Sequence, residues 1–249
     1  MSSSVIQALR EKLVDNSLED SFLLKFLRSK GYNINEAYKS LWNYFQVKKT
    51  HPHLFAPPSC FADVFEEGIA GVLNGRGAKG ESIIICRPGN WNPNKCNMTH
   101  LLGAAVCMQE AQGLDPMTQE NGVILIVDMK NTCLSQLVHM TPSIIAFGTN
   151  LALETLPIRY KEFHVINSNW VAQTVWALGS GLLEDSIKKS THFHKSVHRL
   201  KDFIPRDRLP KEYGGKDVFS AWKYYTENLL KKEAELCKTW RISIETNYK

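Results

Sequence analysis

A chain of 249 residues with 43% hydrophobic content can bury one large core, or one core with a smaller satellite, and reads as globular. Its formal charge of +5 and pI near 8.8 are mildly basic, which favours anionic partners without choosing among nucleic acid, phosphoinositide and acidic protein. No run approaches the roughly 20 apolar residues of a membrane span, and the start MSSSVIQALREK lacks the apolar centre of a secretory signal, so a cytoplasmic protein is expected.

From Val5 to about Thr50 the pattern is helical. SLEDSFLLKFLRSKG places Phe22, Leu23, Phe26 and Leu27 on one stripe, with Gly31 as the stop. NINEAYKSLWNYFQVKK repeats the spacing through Ile34, Ala37, Leu41, Tyr44 and Phe45, until HPHLFAPP ends it, because proline lacks a donor and biases its predecessor away from helix. A small helical bundle over 1–58 is therefore expected. The texture then changes. ESIIICRP (81–88), GVILIVDMK (122–130) and EFHVINS (162–168) are short and nearly continuous in apolar character, as parallel strands covered on both faces are. Helical stretches lie between them, over 99–114 and 135–156, so the units read as right-handed βαβ crossovers of an α/β domain spanning 59–217. A last helix, DVFSAWKYYTENLLKKEAELCKTW, falls in a C-terminal segment over 218–249.

WVAQTVWALGSGLLEDSIKKS (170–190) follows the third strand. At 100° per residue Val171, Val175, Leu178 and Leu182 share one line and Ala172, Trp176, Leu183 and Ile187 the next, so an amphipathic helix over 170–187 is expected. Its interior Gly179–Gly181 invites a bend, since each mid-helix glycine costs about 1 kcal/mol relative to alanine. Periodicity does not distinguish a helix that packs on a core from one that covers a cavity.

Motifs of chemistry are sparse. The six cysteines, Cys60, Cys86, Cys96, Cys107, Cys133 and Cys237, show no C-x-x-C spacing, so neither disulfides nor zinc are expected. Asn97-Met98-Thr99 is a glycosylation triplet read as chance without a secretion signal. GRGAKG (75–80) precedes a strand and lacks G-K-[ST], so it reads as a hairpin-like turn, not a phosphate loop. Gly179-Ser180-Gly181 lacks the G-x-S-x-G of a nucleophile elbow. His192, His194 and His198 have ligand-like spacing, but alternation through His192-Phe193-His194 suits a strand. Asp128 ends a strand without a partner motif and reads as a structural cap. No enzyme, metal or cofactor is expected. The basic residues are scattered and no aromatic platform accompanies them, so neither is nucleic acid.

In chain order, DSFLLKFLRSKGYNINEA, ILIVDM, TPSIIAF, LPIRYKEFHVIN and LPKEYGG resemble the CRAL-TRIO lipid-binding family from about Ser17 to Tyr225. The resemblance implies an open, mainly parallel sheet covered by helices, with a deep apolar pocket closed by a mobile gate helix, here 170–187, behind a small N-terminal helical bundle. Pocket positions of members that carry tocopherol fall on Val123, Val127, Met140, Leu151, Leu156, Ile158, Val171 and Ala172, with Leu101, Ala105 and Met108 from the earlier helix. The gate's own stripe adds Val175, Leu178 and Leu182. Burying aliphatic cargo against such a wall gains about 25 cal/mol per Å². Gly148 and Ala152 stand where bulkier residues are usual, which implies a wider chamber. A basic cleft for phosphoinositide head groups is implied at Lys30, Arg159 and Lys161, with Lys188 and Lys189 offsetting Ser186 and Ser190 where cations are usual. The expected protein is thus a monomeric carrier, peripheral and transient on phosphoinositide membranes, for one lipophilic molecule such as a tocopherol, retinoid, carotenoid or sterol. A phospholipid transfer protein or a phosphoinositide-sensing adaptor is the alternative.

Overall fold

The computed structural model describes residues 2–13 and 17–242. Met1, 14–16 and 243–249, which belong to the predicted N-terminal bundle and C-terminal segment, lie outside the described residues. Three helices, α1 (Ser2–Arg10), α2 (Asp20–Ser29) and α3 (Ile34–Thr50), pack together at the start. The α2 stripe and Ala37, Leu41, Tyr44 and Phe45 of α3 are all buried. Phe22, Phe26, Tyr44 and Phe45 meet at centroid distances from 5.4 to 6.1 Å in tilted or edge geometry, which aligns ring edges with ring faces. The turn after α2 needs Gly31, whose φ is +58°. Asn33 then opens α3 by accepting from the amides of Asn35 and Glu36.

The sheet holds five strands in chain order: β1 (Ala70–Val72), β2 (Ser82–Cys86), β3 (Val123–Asp128), β4 (Tyr160–Ile166) and β5 (Thr191–Phe193). β1 is antiparallel to β2 and the others are parallel. β2, β3 and β4 are the three predicted strands. Residues 75–80 do form part of the turn joining β1 to β2, closed by the Gly77 amide donating to the Glu81 carbonyl at 2.8 Å. The crossovers are α5 (Met98–Gly113) and α6 (Pro116–Asn121); α7 (Leu134–Leu137), α8 (Pro142–Asn150) and a π turn over Leu151–Thr155; and α9 (Trp170–Gly179), a 3-10 turn over Ser180–Leu182, and α10 (Asp185–Lys189).

Strand alternation sorts the side chains onto two faces. Ile83, Ile85, Ile124, Ile126 and Ile166 pack under Leu200, Ile204, Leu209 and Tyr213 from the short turns that follow β5. Ile84, Val123 and Leu125 point the other way, towards α5. The core on that side runs without interruption from Ile6 to Trp240, so the N-terminal bundle, α5 and the C-terminal helices share one apolar interior.

Two predicted helices are divided. The 170–187 segment stops being α-helical at Gly179 and resumes only at Asp185, so the expected single gate is a helix, a tight turn and a short second helix. Gly179 is also a point of close approach: a β-carbon there would stand 3.0 Å from the Ile145 side chain of α8. The C-terminal helix is split into α11 (Ala221–Tyr224), a π turn at Tyr225–Leu229, a 3-10 turn at Leu230–Lys232 and α12 (Glu233–Trp240). The wider turn brings Leu229 back beneath Tyr224 and Tyr225, and all three are buried.

Candidate functional site

An apolar chamber of about 480 Å³ lies on the α5 side of the sheet. Ala70, Ile84, Cys86, Leu125 and Tyr160 of β1 to β4 floor it. Met98, Leu101, Leu102, Ala105 and Met108 of α5 form one wall. Ile144, Ile145 and Gly148 of α8, Ala152 of the π turn and Val175 of α9 form another, with Val64, Trp91 and Met140 completing the lining. α5 is apolar on nearly all sides because it separates the chamber from the core shared with the bundle. Gln109, Thr149 and the Tyr160 hydroxyl are among the few polar groups in the lining. Burial lifts the Tyr160 hydroxyl above its ordinary pKa and pushes the Cys86 thiol up to about 11, so both stay neutral.

Of the predicted pocket residues, Leu101, Ala105, Met108, Met140 and Val175 line this chamber, as do the small Gly148 and Ala152. Val123, Leu151 and Leu156 do not and are packed into the adjoining core, and Ile158, also buried, borders a neighbouring cleft instead. Val127, Val171 and Ala172 form a separate cluster with Met129 and Leu137, where the first turns of α9 sit on the strand ends. Leu178 and Leu182 do not line this chamber: they are 45% and 52% exposed, and Leu182 borders the neighbouring cleft instead. The helical phase that aligned Leu182 with Val175 ends at Gly179, and Leu178 projects beyond the contacts that Val171, Ala172 and Val175 make. Sequence reasoning missed Ile84, Cys86 and Leu125, although a signal was present: Ile84 and Leu125 are register partners on the face opposite Ile83 and Ile124.

Beside the chamber lies a cleft of mixed character and about 550 Å³, lined by Lys30, Asn33, Glu36, Asn150, Glu154, Arg159, Glu184 and Ser186 together with apolar Leu153, Ile158, Leu182 and Ile187. Thr149 and Tyr160 line both spaces. Lys30 Nζ donates to the Leu153 carbonyl at 2.6 Å and stands 3.7 Å from Glu154 Oε2. The Arg159 guanidinium donates to the Glu120 carbonyl, while its Nε is buried without a hydrogen-bond partner among the described residues.

The other expected cations are not brought here. Val123 pairs with Tyr160 and Ile124 with Glu162, leaving Lys161 as the extra residue of a bulge, which breaks the alternation that would align it with Arg159. Burial, then the nearby Arg159, hold the Lys161 pKa below its usual value. Lys188 pairs with Asp185 at 3.4 Å on the side of α10 opposite Ser186, and Lys189 is exposed; neither lines the cleft.

The histidines at 192, 194 and 198, whose spacing read as a strand and not as a ligand set, do not converge. His192 and His194 stack on His164 of β4 at centroid distances of 5.2 and 5.1 Å, while His198 lies near Gly214. His164 is fully buried, with Nδ1 2.8 Å from His194 Nε2 and Nε2 3.1 Å from Glu162 Oε2. A neutral ring satisfies both contacts, donating to the carboxylate and accepting from His194. Burial, reinforced by the two neighbouring imidazoles, pulls the His164 pKa down to about 3. Asp128 has the structural part expected of it, accepting from the Tyr213 hydroxyl and from Asn167, each at 2.7 Å.

Among the described residues no helix is long and apolar enough to cross a membrane. Residues 66–215 match the family model described as the CRAL/TRIO domain. A human protein named alpha-tocopherol transfer protein-like is 31% identical over 219 residues, covering 84% of this chain and 64% of its own length. Rat clavesin-1 is 29% identical over 202 residues, covering 79% of this chain and 57% of its own. The chain thus spans less than two thirds of the length of these curated relatives. The crystal structure of Sfh5 shares the fold with a TM-score of 0.56 at 15% identity, covering 94% of this chain and 86% of that one.

Proposed function

This chain belongs to the CRAL/TRIO domain family, and from that premise we propose that it is a carrier, holding one lipophilic molecule in the apolar chamber and exchanging it at a membrane surface. The chamber is the observation that supports this reading. Its volume of about 480 Å³ falls within the range of small-molecule sites, about 300–1,000 Å³, and its lining offers few polar contacts that would hold a hydrophilic guest. The reaction needs no covalent step. Exposed Leu134 and Val138 at α7, Trp170 and Leu178 on α9, and Phe193 on β5 support contact with a bilayer. α7 packs against α9, and Trp176 meets the Phe193 ring at 5.1 Å, so these elements adjoin.

A phosphoinositide-sensing role, alone or coupled to transport, draws support from the cleft, where Lys30 and Arg159 stand with an unused guanidinium donor. Phospholipid transfer is a second cargo choice for the same chamber.

Val175→Asp places a carboxylate in the chamber lining, whereas Gln173→Asp places one on the exposed side of the same helix. Desolvating an unpaired charge costs several kcal/mol, so Val175→Asp is expected to depress loading at least about tenfold while Gln173→Asp leaves it near wild type. Native mass spectrometry of protein exposed to a lipid extract reads both loading and the mass of the guest. Equal loading of the two variants counts against α9 as the cover.

A further inference from the structure

Asp63 meets Cys96 and His100, which flank the start of α5, beside the chamber. Asp63 lies in α4 (Ala62–Glu66), Cys96 precedes α5, and His100 stands in the first turn of α5. One ligand atom from each lies within 4.8 Å of the other two, and no other such group of three or more histidine, cysteine, aspartate or glutamate residues occurs among the described residues. His100 Nδ1 and Asp63 Oδ2 are 2.7 Å apart. Cys96 is buried, and Asp63 and His100 are half-buried, so the cluster is closed on the thiol side and reachable on the other.

The geometry points to a binding site for a divalent transition metal of the zinc class, with Cys96 Sγ, His100 Nδ1 and an Asp63 oxygen as ligands and water in a fourth position. Thiolate, imidazole and carboxylate together match the borderline-soft preference of Zn²⁺ and discriminate against Mg²⁺ and Ca²⁺, which take oxygen ligands. Tetrahedral bonds of about 2.0–2.3 Å separate ligand atoms by about 3.3–3.7 Å, so side-chain rotation must part the histidine from the aspartate slightly and draw the sulfur in.

The backbone under each ligand is already pinned. Trp91 Nε1 donates to the Cys96 carbonyl at 2.6 Å, Asn97 Oδ1 accepts from the His100 amide at 2.9 Å, and Asp63 Oδ1 accepts from the Val64 amide at 3.0 Å. The Phe61 ring meets the His100 ring at 5.7 Å, near edge-on, and limits its rotation. On binding, the thiol gives up its proton and the imidazole carries its proton on Nε2. The absence of a C-x-x-C spacing argued against zinc from sequence, but that test reaches only ligands close in the chain, and Asp63 and Cys96 are brought together by folding. The bound ion would clamp α4 to α5, and Val64 and Met98, next to the ligands, both line the chamber.

Cobalt(II) titration of the full, reduced chain tests the site, because a thiolate ligand gives a near-ultraviolet charge-transfer band and a tetrahedral site gives strong visible bands. The expected result is saturation at one Co²⁺ per chain, with both features displaced by zinc. Cys96→Ser should abolish the charge-transfer band, whereas Ser at the exposed Cys60 or Cys133 should leave it. His100→Gln and Asp63→Asn should each weaken binding at least about tenfold, no less than losing a group that merely supports a ligand. If Cys96→Ser does not fold by circular dichroism, the His100 and Asp63 variants decide. No stoichiometric band in the wild type, a band that follows Cys60 or Cys133, or undiminished affinity in His100→Gln and Asp63→Asn overturns the proposal.

Discussion

Gly148 sits within α8 and borders the chamber, and a β-carbon there would meet only Leu102, at an ordinary 3.9 Å. The glycine is thus not required by a turn or a steric conflict, and its effect is to leave volume. Gly148→Leu should fill part of that volume while removing a mid-helix glycine, which raises helix stability by up to about 1 kcal/mol. Overpacking costs about 1–3 kcal/mol, so affinity for a bulky guest should fall about tenfold while the melting temperature of the empty protein holds or rises. Loading by native mass spectrometry beside a thermal melt separates the two effects; unchanged loading would show that guests occupy another part of the chamber. Ala152 extends the same opening from the π turn. Both positions stand out in the sequence only through the family resemblance, as small residues where bulkier ones are usual, and both border the chamber. Which aliphatic residues line it was not legible, because Val123 in a packed core and Leu125 beside a void carry the same polarity and share one face of the same strand.

The elements divide along similar lines. β2 and β3 announce themselves as runs of branched apolar residues buried on both faces; β4 is more mixed and buries only His164 and Ile166, and Ala70-Gly71-Val72 is too short and too plain to signal β1. The broken gate was half legible: the glycines at 179 and 181 favour an interruption, but the close contact with Ile145 that makes Gly179 fit is a tertiary fact. β5, which follows the gate, pairs with β4 through only three residues, and its histidines gather on buried His164. Because the folded chain refuses a proton at His164 until about pH 3, while the unfolded chain accepts one near 6.5, stability is lost as pH falls through that window. His164→Phe should flatten the acid slope by up to about 1.4 kcal/mol per pH unit in chemical denaturation series at stepped pH. His194, whose pKa burial also lowers, keeps part of the dependence. An unaltered slope would remove His164 as the group responsible.

Across the whole molecule, the expected five-cation cleft contracts to Lys30 and Arg159 on its lining, with Glu36, Glu154 and Glu184 nearby. At an anionic surface each basic group contributes about 1 kcal/mol, so Arg159→Ala with Lys161→Ala should weaken binding to phosphoinositide vesicles at least about fivefold and leave loading intact. Arg159→Ala alone should carry most of that loss, because Lys161 sits on the bulge outside the cleft. Unchanged vesicle affinity in the double variant would remove the cleft from the account. Thr149 and Tyr160 belong to both compartments, so a single aromatic ring and a single hydroxyl-bearing side chain serve as the partition between grease and charge. On the proposed carrier reading, a guest that displaced the ring would narrow the space next door, and an anion seated there would press back. Thermodynamic reciprocity would then make each occupant report on the other with one and the same coupling factor, with no lever arm and no distant relay.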